Sequence, residues 1–454
     1  MSAWTTALAT ALGDASLLTI DPDIVASFAR DQAPLAPAGT AVALVRARRA
    51  DDVIATLRFA NEHGIPVVTR AAGTGLAGGA NAVDGCIILS VAALDRIVRI
   101  DEATRTAVVE PGVLNADLAK EAAARGLYYA PDPASRAIST IGGNIATNAG
   151  GSCCLKYGVT GDHVAALDVV LADGARIRTG SITKKNVAGL DLTRLLVGSE
   201  GTLGVIVEAT VRLLRKPRPP STLVAFFDTL DDAARAIVAM DAGVDLSLLE
   251  VMDQTTVRAV EDLARMDLDT EAAALVLVQS DASDAAAAIA ACQAICNDHG
   301  ARSVLCTDDL EEGRLLLEAR RQALPALERL GTTLLDDVAV PKPAIPAMIA
   351  RIRAIAAEHQ LVIGTFGHAG DGNLHPTIVF DGTDARSSAA ASAAFAAIVR
   401  EAVALGGSIT GEHGVGSLKH GLLGAMIGDT ERALMRRIKA SFDPRGILNP
   451  GKAF

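Results

Sequence analysis

Glycine is unevenly distributed along this 454-residue chain, and its placement limits where regular helices and strands can form. More than half of the 41 glycines lie in five short windows, residues 64–85, 142–161, 198–204, 364–372 and 406–424. Glycine has no Cβ atom, so it permits backbone conformations and close approaches to a ligand that other residues do not. We therefore expect the backbone in these windows to bend, to contact a ligand, or to bring distant side chains together.

The composition excludes several classes of protein. Half of the residues are hydrophobic, which is incompatible with a disordered chain, and at about 100–200 residues per domain the length predicts two or three domains. The 42 basic residues against 53 acidic ones give a net charge of −11, and only 3% of the residues are aromatic. Such a chain lacks the positive charge and the stacking rings that nucleic-acid binding requires.

We expect a cytoplasmic protein, with peripheral attachment to a membrane left open. No uncharged apolar stretch reaches the ~18 residues of a membrane span, and the first residues lack the basic segment of a secretory signal. The six cysteines form no CxxC pair and no disulfide framework, so we expect reduced thiols. The adjacent Cys153 and Cys154 lie in a glycine-rich window, which leaves a reactive role open as the alternative.

The pattern of apolar segments divides the chain into three parts. Residues 1–37 are predicted to form a short helical segment, and residues 38–216 alternate short apolar strands with helices and glycine turns. The sequence RKPRPPS at residues 215–221 has three prolines in four positions and is the best linker candidate. Residues 217–454 follow, and two β-α-β units between residues 222 and 306 predict a ferredoxin-like α+β domain there.

Helices are predicted where apolar residues recur about every 3.6 positions or where alanine dominates. These segments are Asp51–His63, Leu230–Asp241, Asp284–His299, Leu310–Leu330, Ala344–Glu358 and Ser387–Leu405.

The first glycine window contains Gly73-x-Gly75-x-x-Gly78, which matches the dinucleotide-binding fingerprint by spacing. That fingerprint requires a helix directly after the glycines, because the helix N-terminus binds the pyrophosphate. Here a turn at residues 81–85 and a short strand follow instead, so a Rossmann fold is not expected. A structural turn and a loop whose backbone N–H groups surround a phosphate both stay open.

Residues 138–151, interpreted as a loop, favour ligand binding. Four glycines let the backbone approach a ligand, and Ser, Thr and Asn side chains supply hydrogen-bonding groups. A proline-rich turn at residues 131–135 precedes this loop, and the glycine-punctuated segment 198–206 leads into a later strand. Four such segments in one half of the chain favour a bound ligand over structural turns.

These four segments, in this order, resemble the FAD-binding domain of the vanillyl-alcohol oxidase family, over about residues 38–213. The resemblance implies an α+β fold class, with a PCMH-type FAD-binding domain of two subdomains over residues 38–216. The first loop has no histidine of the kind that links covalently to flavin in some members, so the resemblance implies non-covalent FAD. The cofactor-binding residues that it implies are Arg70, Gly73, Thr74, Gly75, Leu76, Pro131, Asp132, Ser139, Thr140, Gly142, Gly143, Asn144, Thr147, Asn148, Gly151, Glu200, Gly201, Gly204, Ile206 and Asn449.

Two segments in the second half, residues 367–376 and 410–416, are rich in histidine, acid and glycine. His368 and His375 flank a Gly-Asp-Gly turn, so a strand–turn–strand could bring both rings to one place. Glu412 would complete a His2Glu set, a ligand class typical of catalytic zinc and non-haem iron sites. His413 can reach the same place only if the neighbouring glycines bend the chain, and a structural role for these histidines is the alternative.

These two segments and the terminal residues 442–452 resemble the C-terminal domain of the FAD-linked 2-hydroxyacid dehydrogenases. That branch includes the cytochrome-type D-lactate dehydrogenase, the glycolate oxidase flavoprotein subunit and D-2-hydroxyglutarate dehydrogenase. The resemblance implies that His368, His375 and Glu412 bind a divalent metal, zinc by preference with manganese or iron as alternatives, and that His413 is the catalytic base. It also implies that residues from about 410 to 454 return from the substrate domain, 217–454, to the flavin.

The reaction implied is oxidation of a 2-hydroxy acid to a 2-keto acid. The metal would chelate the hydroxyl and one carboxylate oxygen, His413 would take the hydroxyl proton, and a hydride would pass to flavin N5. Arg320 lies in a segment resembling the one that supplies a substrate-binding arginine, and a surface ion pair is its alternative. Where the D-2-hydroxyglutarate enzymes bind a second carboxylate, this chain has Leu324 and Leu335, which favours D-lactate or glycolate.

The electron acceptor stays open among O2, a quinone, a cytochrome and an electron-transfer protein, and so does a homodimer. Three alternative functions are kept. They are the flavoprotein subunit of a glycolate-oxidase-like complex, a D-2-hydroxyglutarate dehydrogenase, and a metallohydrolase in which the glycine loops serve only as turns.

Overall fold

The computed structural model describes residues 3–454 and divides them into two units. Unit 1 comprises residues 3–150, 159–216 and 412–454, and unit 2 comprises residues 151–158 and 217–411. The chain therefore enters unit 2 twice and ends in unit 1. Of the predicted N-terminal segment 1–37, the first two residues lie outside the described part of the chain.

The α-helices, in chain order, are α1 Ala3–Leu12, α2 Pro22–Ser27, α3 Ala50–His63, α4 Asn115–Ala123, α5 Ile141–Thr147, α6 Cys154–Tyr157, α7 Thr160–His163, α8 Leu192–Leu196, α9 Leu230–Gly243, α10 Gln254–Ala264, α11 Ala285–Asp298, α12 Leu310–Arg321, α13 Ala323–Glu328, α14 Ile345–His359, α15 Ala385–Ala404 and α16 Asp429–Phe442. The strands are β1 Leu18–Thr19, β2 Ala43–Arg46, β3 Val67–Arg70, β4 Ile87–Ser90, β5 Ile97–Asp101, β6 Thr106–Val109, β7 Leu127–Tyr128, β8 Val164–Val170, β9 Arg176–Gly180, β10 Val205–Arg212, β11 Leu214–Arg215, β12 Ser221–Phe227, β13 Leu248–Asp253, β14 Ala274–Ser280, β15 Ala301–Thr307, β16 Thr332–Leu335, β17 Val338–Ala339, β18 Val362–His368 and β19 Asn373–Phe380. None of the helices within residues 3–454 combines the length and the apolar character that crossing a bilayer requires.

Unit 1 is built on two main sheets. The first has the strand order β1-β2-β4-β3, in which β2, β4 and β3 run parallel. Strand β4 is buried on both faces, since Ile87 and Leu89 join one hydrophobic cluster and Ile88 joins another. A parallel sheet covered on both sides explains why this strand is apolar without alternation.

The second sheet of unit 1 has the order β5-β6-β10-β8-β9 and is antiparallel throughout. It buries its own cluster, which includes Val109, Leu167, Val169 and Val211 and takes in Ile141 and Ile145 from helix α5. Helix α5 is thereby held against the sheet by two apolar residues one turn apart. The two sheets correspond to the two subdomains predicted for this half of the chain.

Unit 2 contains one eight-stranded antiparallel sheet, with the order β15-β12-β14-β13-β18-β19-β16 and with β17 paired to β19. The first four of these strands form the order expected for two β-α-β units of the ferredoxin-like kind, with α9 and α11 as the connecting helices. Strand β13 then pairs with β18, so the hairpin β18–β19 continues the same sheet. The α+β prediction is confirmed, and the ferredoxin-like part is extended by further strands.

Two local predictions were wrong. Residues 138–151 are not a loop throughout, because α5 forms over Ile141–Thr147 with the Thr140 side chain accepting a hydrogen bond from Gly143 N at its start. The predicted single helix Leu310–Leu330 is two helices, α12 and α13, separated at Gln322. Pro325 has no backbone N–H to donate to Arg321, so one continuous helix cannot form across this point.

A buried carboxylate joins β13, α10 and β18 in unit 2. The Oδ1 atom of Asp253 accepts hydrogen bonds from Thr256 N (2.9 Å) and Thr256 Oγ1 (2.8 Å), which caps α10, and its Oδ2 atom accepts one from Thr365 N (2.9 Å). Burial raises the pKa of Asp253 to about 6, and the hydrogen bonds oppose that rise.

Replacing Asp253 with Asn should remove a pH-dependent part of the stability. The folded state binds the proton more tightly than the unfolded chain, so this contribution is complete below pH 3.8 and is lost as the pH rises through about 6. Relative to the variant, the wild-type protein should lose about 1 kcal/mol of unfolding free energy between pH 5 and pH 7. Denaturant titrations at both pH values measure this, with Asp262→Asn on the exposed side of α10 as the control. An equal pH dependence in the wild type and in Asp253→Asn would contradict the assignment.

Candidate active site

The first glycine loop leaves β3 at Arg70 and reaches β4 without an intervening helix, as predicted. Gly73 has a φ of +74°, and a Cβ atom there would lie 2.0 Å from Nη2 of Arg70. The Arg70 side chain is held by a hydrogen bond from Nη1 to Arg30 O (2.7 Å) and by the ring of Phe28. Glycine at position 73 is therefore required for the loop to fold back over this arginine.

The second segment presents polar atoms that lack partners within residues 3–454. Ser139 Oγ and Asn144 Nδ2 are buried without a hydrogen bond, and so are Thr69 Oγ1 on β3 and Tyr129 Oη directly after β7. Buried polar groups are almost always paired, so this group of atoms indicates a missing polar ligand. FAD has the phosphate and ribityl oxygens and the ring acceptors that such atoms would bind, and the residues present therefore fit it.

Three glycine-rich segments converge in unit 1. A Cβ atom at Gly143 would lie 3.9 Å from Ala71 Cβ, and one at Gly201 would lie 3.9 Å from Thr69 Cβ. The segments after β3, at the start of α5 and before β10 therefore share one neighbourhood. These three segments are among those predicted to bind FAD, and they follow one another along the sequence in the predicted order.

The C-terminal residues fasten these segments together. The Asn449 side chain donates through Nδ2 to Gly79 O (2.9 Å) and to Glu200 O (2.7 Å). Lys452 is buried beside it and donates through Nζ to Asn81 O (2.6 Å). Burial lowers the pKa of Lys452 to about 8, against the opposing effect of nearby Asp31. Asn449 thus holds two predicted cofactor loops by their backbones.

Glu200 is a predicted cofactor residue whose carboxylate is buried and bound by backbone groups. Its buried carboxylate accepts hydrogen bonds from Val415 N and Gly416 N, both at 2.8 Å. Burial raises the pKa of Glu200, while these two donors act in the opposite direction. The side chain therefore positions the segment that contains His413 rather than facing solvent.

The other predicted cofactor residues differ in their burial, their packing contacts and the unit to which they belong. Thr74, Gly75, Leu76, Asp132, Thr147 and Asn148 are partly buried in unit 1. Pro131 and Gly204 have packing roles, because Pro131 O accepts a hydrogen bond from Asn115 Nδ2 (3.1 Å) and a Cβ atom at Gly204 would meet Val169 Cγ1 at 2.4 Å. Ile206 pairs with Val169 within the sheet, and Gly151 belongs to unit 2.

In unit 2 the predicted strand–turn–strand is present and brings two histidines together. His368 ends β18 and His375 lies on β19, with their ring centroids 5.2 Å apart and a ring nitrogen of each within 4.8 Å of the other. Both side chains are buried. Gly372 makes the turn possible, since its φ is +75° and a Cβ there would lie 2.1 Å from Val340 O.

Glu250 is a functional candidate that the sequence did not reveal. It lies on β13 with its side chain only 1% exposed, and its Oε1 atom is 2.6 Å from His368 Nδ1. Its Oε2 atom is 2.6 Å from Arg320 Nε, and the Arg320 guanidinium lies over the ring of Phe366 at 4.7 Å. The available signal was one acidic residue inside the apolar segment LSLLEVM.

Asp337 is a second residue that was missed. Its buried carboxylate accepts hydrogen bonds from Asn373 Nδ2 (2.7 Å), Thr410 Oγ1 (2.7 Å) and Gly411 N (2.9 Å). His375 Nδ1 lies 3.8 Å from the same carboxylate. Asp337 therefore holds the end of unit 2 that leads directly into Glu412. Its signal was a pair of acidic residues after the apolar strand β16.

Glu412 and His413 are the first residues of the last unit 1 segment. His413 Nε2 lies 3.8 Å from Glu412 Oε1, and both side chains are partly exposed. Arg320 and Arg321 differ as expected, with Arg320 8% exposed and Arg321 37% exposed. The surface ion pair considered for Arg320 is instead a buried one.

Family models match both halves of the chain. The model described as FAD linked oxidases, C-terminal domain, matches residues 216–453, and the model described as FAD binding domain matches residues 41–180. The chain belongs to the FAD-linked oxidase family. It is an FAD-dependent oxidoreductase, so the predictions of FAD and of the enzyme class are confirmed.

Relatives of this FAD-linked oxidase align over nearly its whole length. The glycolate oxidase subunit GlcD of Bacillus subtilis is 44% identical and covers 91% of this chain and 88% of its own. A D-lactate dehydrogenase of Anaerostipes hadrus is 32% identical and covers 95% of this chain and 94% of its own. The resemblance to this branch of FAD-linked enzymes is confirmed.

A solved structure establishes the fold of the FAD-linked oxidase. The structure of p-cresol methylhydroxylase with substrate bound matches with a TM-score of 0.83 at 18% identity, over 99% of this chain and 96% of the other. At this identity the likeness concerns the fold alone. The predicted PCMH-type fold is therefore confirmed.

Two adjacent glycines test where the cofactor lies. A Cβ atom at Gly142 would lie 2.4 Å from Pro111 Cβ, whereas at Gly143 the nearest atom would be Thr140 Oγ1 at 3.2 Å. Gly142→Ala should therefore lower the stability of the FAD-free protein by about 1–3 kcal/mol, the usual result of overpacking. Gly143→Val should lower that stability less than Gly142→Ala, because its Cβ atom closely approaches only the Thr140 side chain, and should abolish FAD retention. Thermal melts and the flavin content after gel filtration measure both effects, and a wild-type FAD content in Gly143→Val would contradict cofactor binding against α5.

Proposed function

We propose that this FAD-dependent oxidoreductase oxidises a small monocarboxylic 2-hydroxy acid, of the D-lactate or glycolate type, to the 2-keto acid. The observation that carries the proposal is the contact chain Arg320–Glu250–His368, which joins a carboxylate-binding group to a metal-ligand candidate in one buried cluster. Relatives named for glycolate and D-lactate support the same substrate class. FAD would accept the electrons, and a divalent metal would act as a Lewis acid on the substrate hydroxyl.

Arg320 is suited to bind the substrate carboxylate. Its Nε atom is paired with Glu250, and its terminal Nη atoms have no hydrogen-bond partner among the described residues. A guanidinium held along one edge still offers two parallel N–H groups for a carboxylate. In this proposal the arginine fixes the acid end of the substrate and so orients the hydroxyl end.

His368 and His375 would hold the metal, with zinc as the first choice, and Glu412 would be the third ligand. The two rings are brought together by the β18–β19 hairpin, and Nδ1 of each faces an acid, Glu250 or Asp337. Such carboxylate partners are typical of metal-binding histidines. Glu412 follows Gly411, whose N–H is bound by Asp337.

His413 is proposed as the base that takes the hydroxyl proton. A neutral imidazole is a suitable base near pH 7, and base catalysis of this kind contributes about 10²–10⁴-fold. The hydrogen bonds from Val415 and Gly416 to Glu200 hold the backbone just beyond it. Removal of this proton by His413 would favour oxidation of the substrate carbon, for which bound FAD would be the electron acceptor.

The substrate proposal favours one carboxylate over two. Leu324 and Leu335 stand where the D-2-hydroxyglutarate enzymes have polar partners, and Leu335 is buried on β16. The FAD-binding domain removes the basis of the metallohydrolase alternative, in which the glycine loops were only turns. The name of the Bacillus subtilis relative supports a further proposal, that this chain works as the flavoprotein subunit of a complex that passes electrons onward. A cytoplasmic location is proposed with it.

Anaerobic addition of D-lactate or glycolate should bleach the flavin spectrum of the purified protein. His413→Ala should slow this reduction by about 10²–10⁴-fold with the FAD content unchanged, because only the base is removed. His420→Ala, an exposed histidine in the same part of the chain, is the control and should reduce at the wild-type rate. Failure of a panel of 2-hydroxy acids to bleach the wild-type flavin would contradict the proposed function.

Removing divalent metal with a chelator should abolish flavin reduction by the 2-hydroxy acid and leave FAD bound. The expected reason is that the hydroxyl pKa is no longer lowered before proton transfer. Re-addition of zinc, manganese or iron in turn should restore the rate for the metal that the site uses. Elemental analysis before and after dialysis gives the metal content. Full activity in protein shown to be metal-free would contradict the metal-assisted mechanism.

A further inference from the structure

We propose that Glu250 is a positioning residue that selects the metal-binding tautomer of His368 and holds Arg320 in place. This inference rests on the proposed function and assigns a role to a residue that the family resemblance did not supply. Glu250 uses its two carboxylate oxygens separately, with Oε1 at 2.6 Å from His368 Nδ1 and Oε2 at 2.6 Å from Arg320 Nε. One buried side chain therefore contacts both halves of the proposed substrate site.

The first step concerns the proton on His368. A carboxylate only accepts hydrogen bonds, so the contact with Glu250 requires the ring to carry its proton on Nδ1. The lone pair of the neutral ring is then on Nε2, which makes Nε2 the only atom of this ring that can bind a metal. Without an acceptor at Nδ1, the ring could adopt the other tautomer, in which Nε2 carries a proton and cannot be a ligand.

The second step concerns Arg320. Its guanidinium is fixed along one edge by Glu250 and on one face by the ring of Phe366. Both side chains of the ion pair are almost fully buried, so removing either partner would leave an uncompensated charge. The pairing allows an arginine to be buried there and keeps its Nη atoms in a defined position for a carboxylate.

The third step identifies a substitution that separates the two contacts. Glutamine has nearly the shape of glutamate, but it offers one acceptor oxygen and one NH2 donor. Arginine cannot accept a hydrogen bond, so the amide oxygen must face Arg320 and the NH2 group must face His368 Nδ1. His368 would then accept at Nδ1 and carry its proton on Nε2. Glu250→Gln should therefore weaken metal binding while Arg320 keeps a neutral hydrogen-bond acceptor.

Binding of two ligands to the purified FAD-containing protein tests the contacts of Glu250 with His368 and with Arg320 independently. Zinc affinity is measured by equilibrium dialysis, and pyruvate affinity is measured on metal-free protein from the shift it causes in the flavin spectrum. Glu250→Gln should bind zinc about 10–100-fold more weakly, as expected for loss of a carboxylate partner of a metal-binding histidine, and should bind pyruvate at least as tightly as the wild type, because Arg320 keeps an acceptor and loses a competing negative charge. Arg320→Gln should lose pyruvate binding. Glu318→Gln, on the more exposed side of the same helix as Arg320, is the control and should match the wild type in both.

The outcomes are distinct. Unchanged zinc affinity in Glu250→Gln, or a wild-type protein that binds no zinc, overturns the proposal. An equal loss of zinc and pyruvate affinity also overturns it, because Glu250 would then be a packing residue. If Glu250→Gln does not fold, Glu250→Asp decides, since its shorter side chain cannot reach both partners, and unchanged affinities for both zinc and pyruvate would overturn the proposal. A wild-type flavin that no 2-hydroxy acid reduces, combined with selective loss of zinc in Glu250→Gln, would refute the proposed function and leave the role of Glu250 standing.

Discussion

Buried carboxylates need hydrogen-bond donors, and in this protein much of that need is met by backbone N–H groups. Glu200 in unit 1 accepts from two such groups, and Asp253 in unit 2 does the same. Asp337 in unit 2 accepts from Gly411 N in addition to side chains. A buried acid without donors would be strongly destabilising, so each of these side chains fixes the backbone that satisfies it.

The backbone segments that these acids fix also carry residues of the candidate site. Thr365, bound by Asp253, lies three residues before His368 on the same strand. Gly411, bound by Asp337, directly precedes Glu412, and Val415, bound by Glu200, lies two residues after His413. The three acids can affect the candidate site without contacting a ligand themselves. Each fixes the position of a backbone segment whose side chains are the candidates for contacting one.

The structural features that could be predicted from the sequence are those that depend on residues close together along the chain. The hairpin that brings His368 and His375 together follows from a Gly-Asp-Gly turn between apolar strands, and the glycine loop after β3 follows from the absence of a helix pattern. Glu250 could not be predicted in the same way, because it lies 118 residues before its partner His368 and sequence spacing carries no information on that contact. Only the unusual acid in an apolar strand indicated that it needed a partner.

Helix α5 illustrates a different limit. Two glycines in its first turn make the segment a poor helix by propensity, and the prediction for it was a loop. The helix forms because Thr140 caps it and because Ile141 and Ile145 pack into the core of the second sheet. Tertiary packing therefore outweighs propensity here. Residues 151–158 were also unpredictable, since their place in unit 2 depends on contacts such as that between Lys156 and the distant Asp281.

For Arg320, the two alternative interpretations of one residue do not exclude each other. From the sequence, an ion pair and a substrate-binding role were alternatives. In the structure the ion pair uses only the Nε edge of the guanidinium, so the terminal nitrogens stay available in the proposed mechanism. The pair is also what makes the second role feasible, because a lone guanidinium with 8% exposure would be too costly to bury. A buried acid that neutralises the arginine and contacts His368 therefore serves stability and the proposed chemistry through the same two contacts.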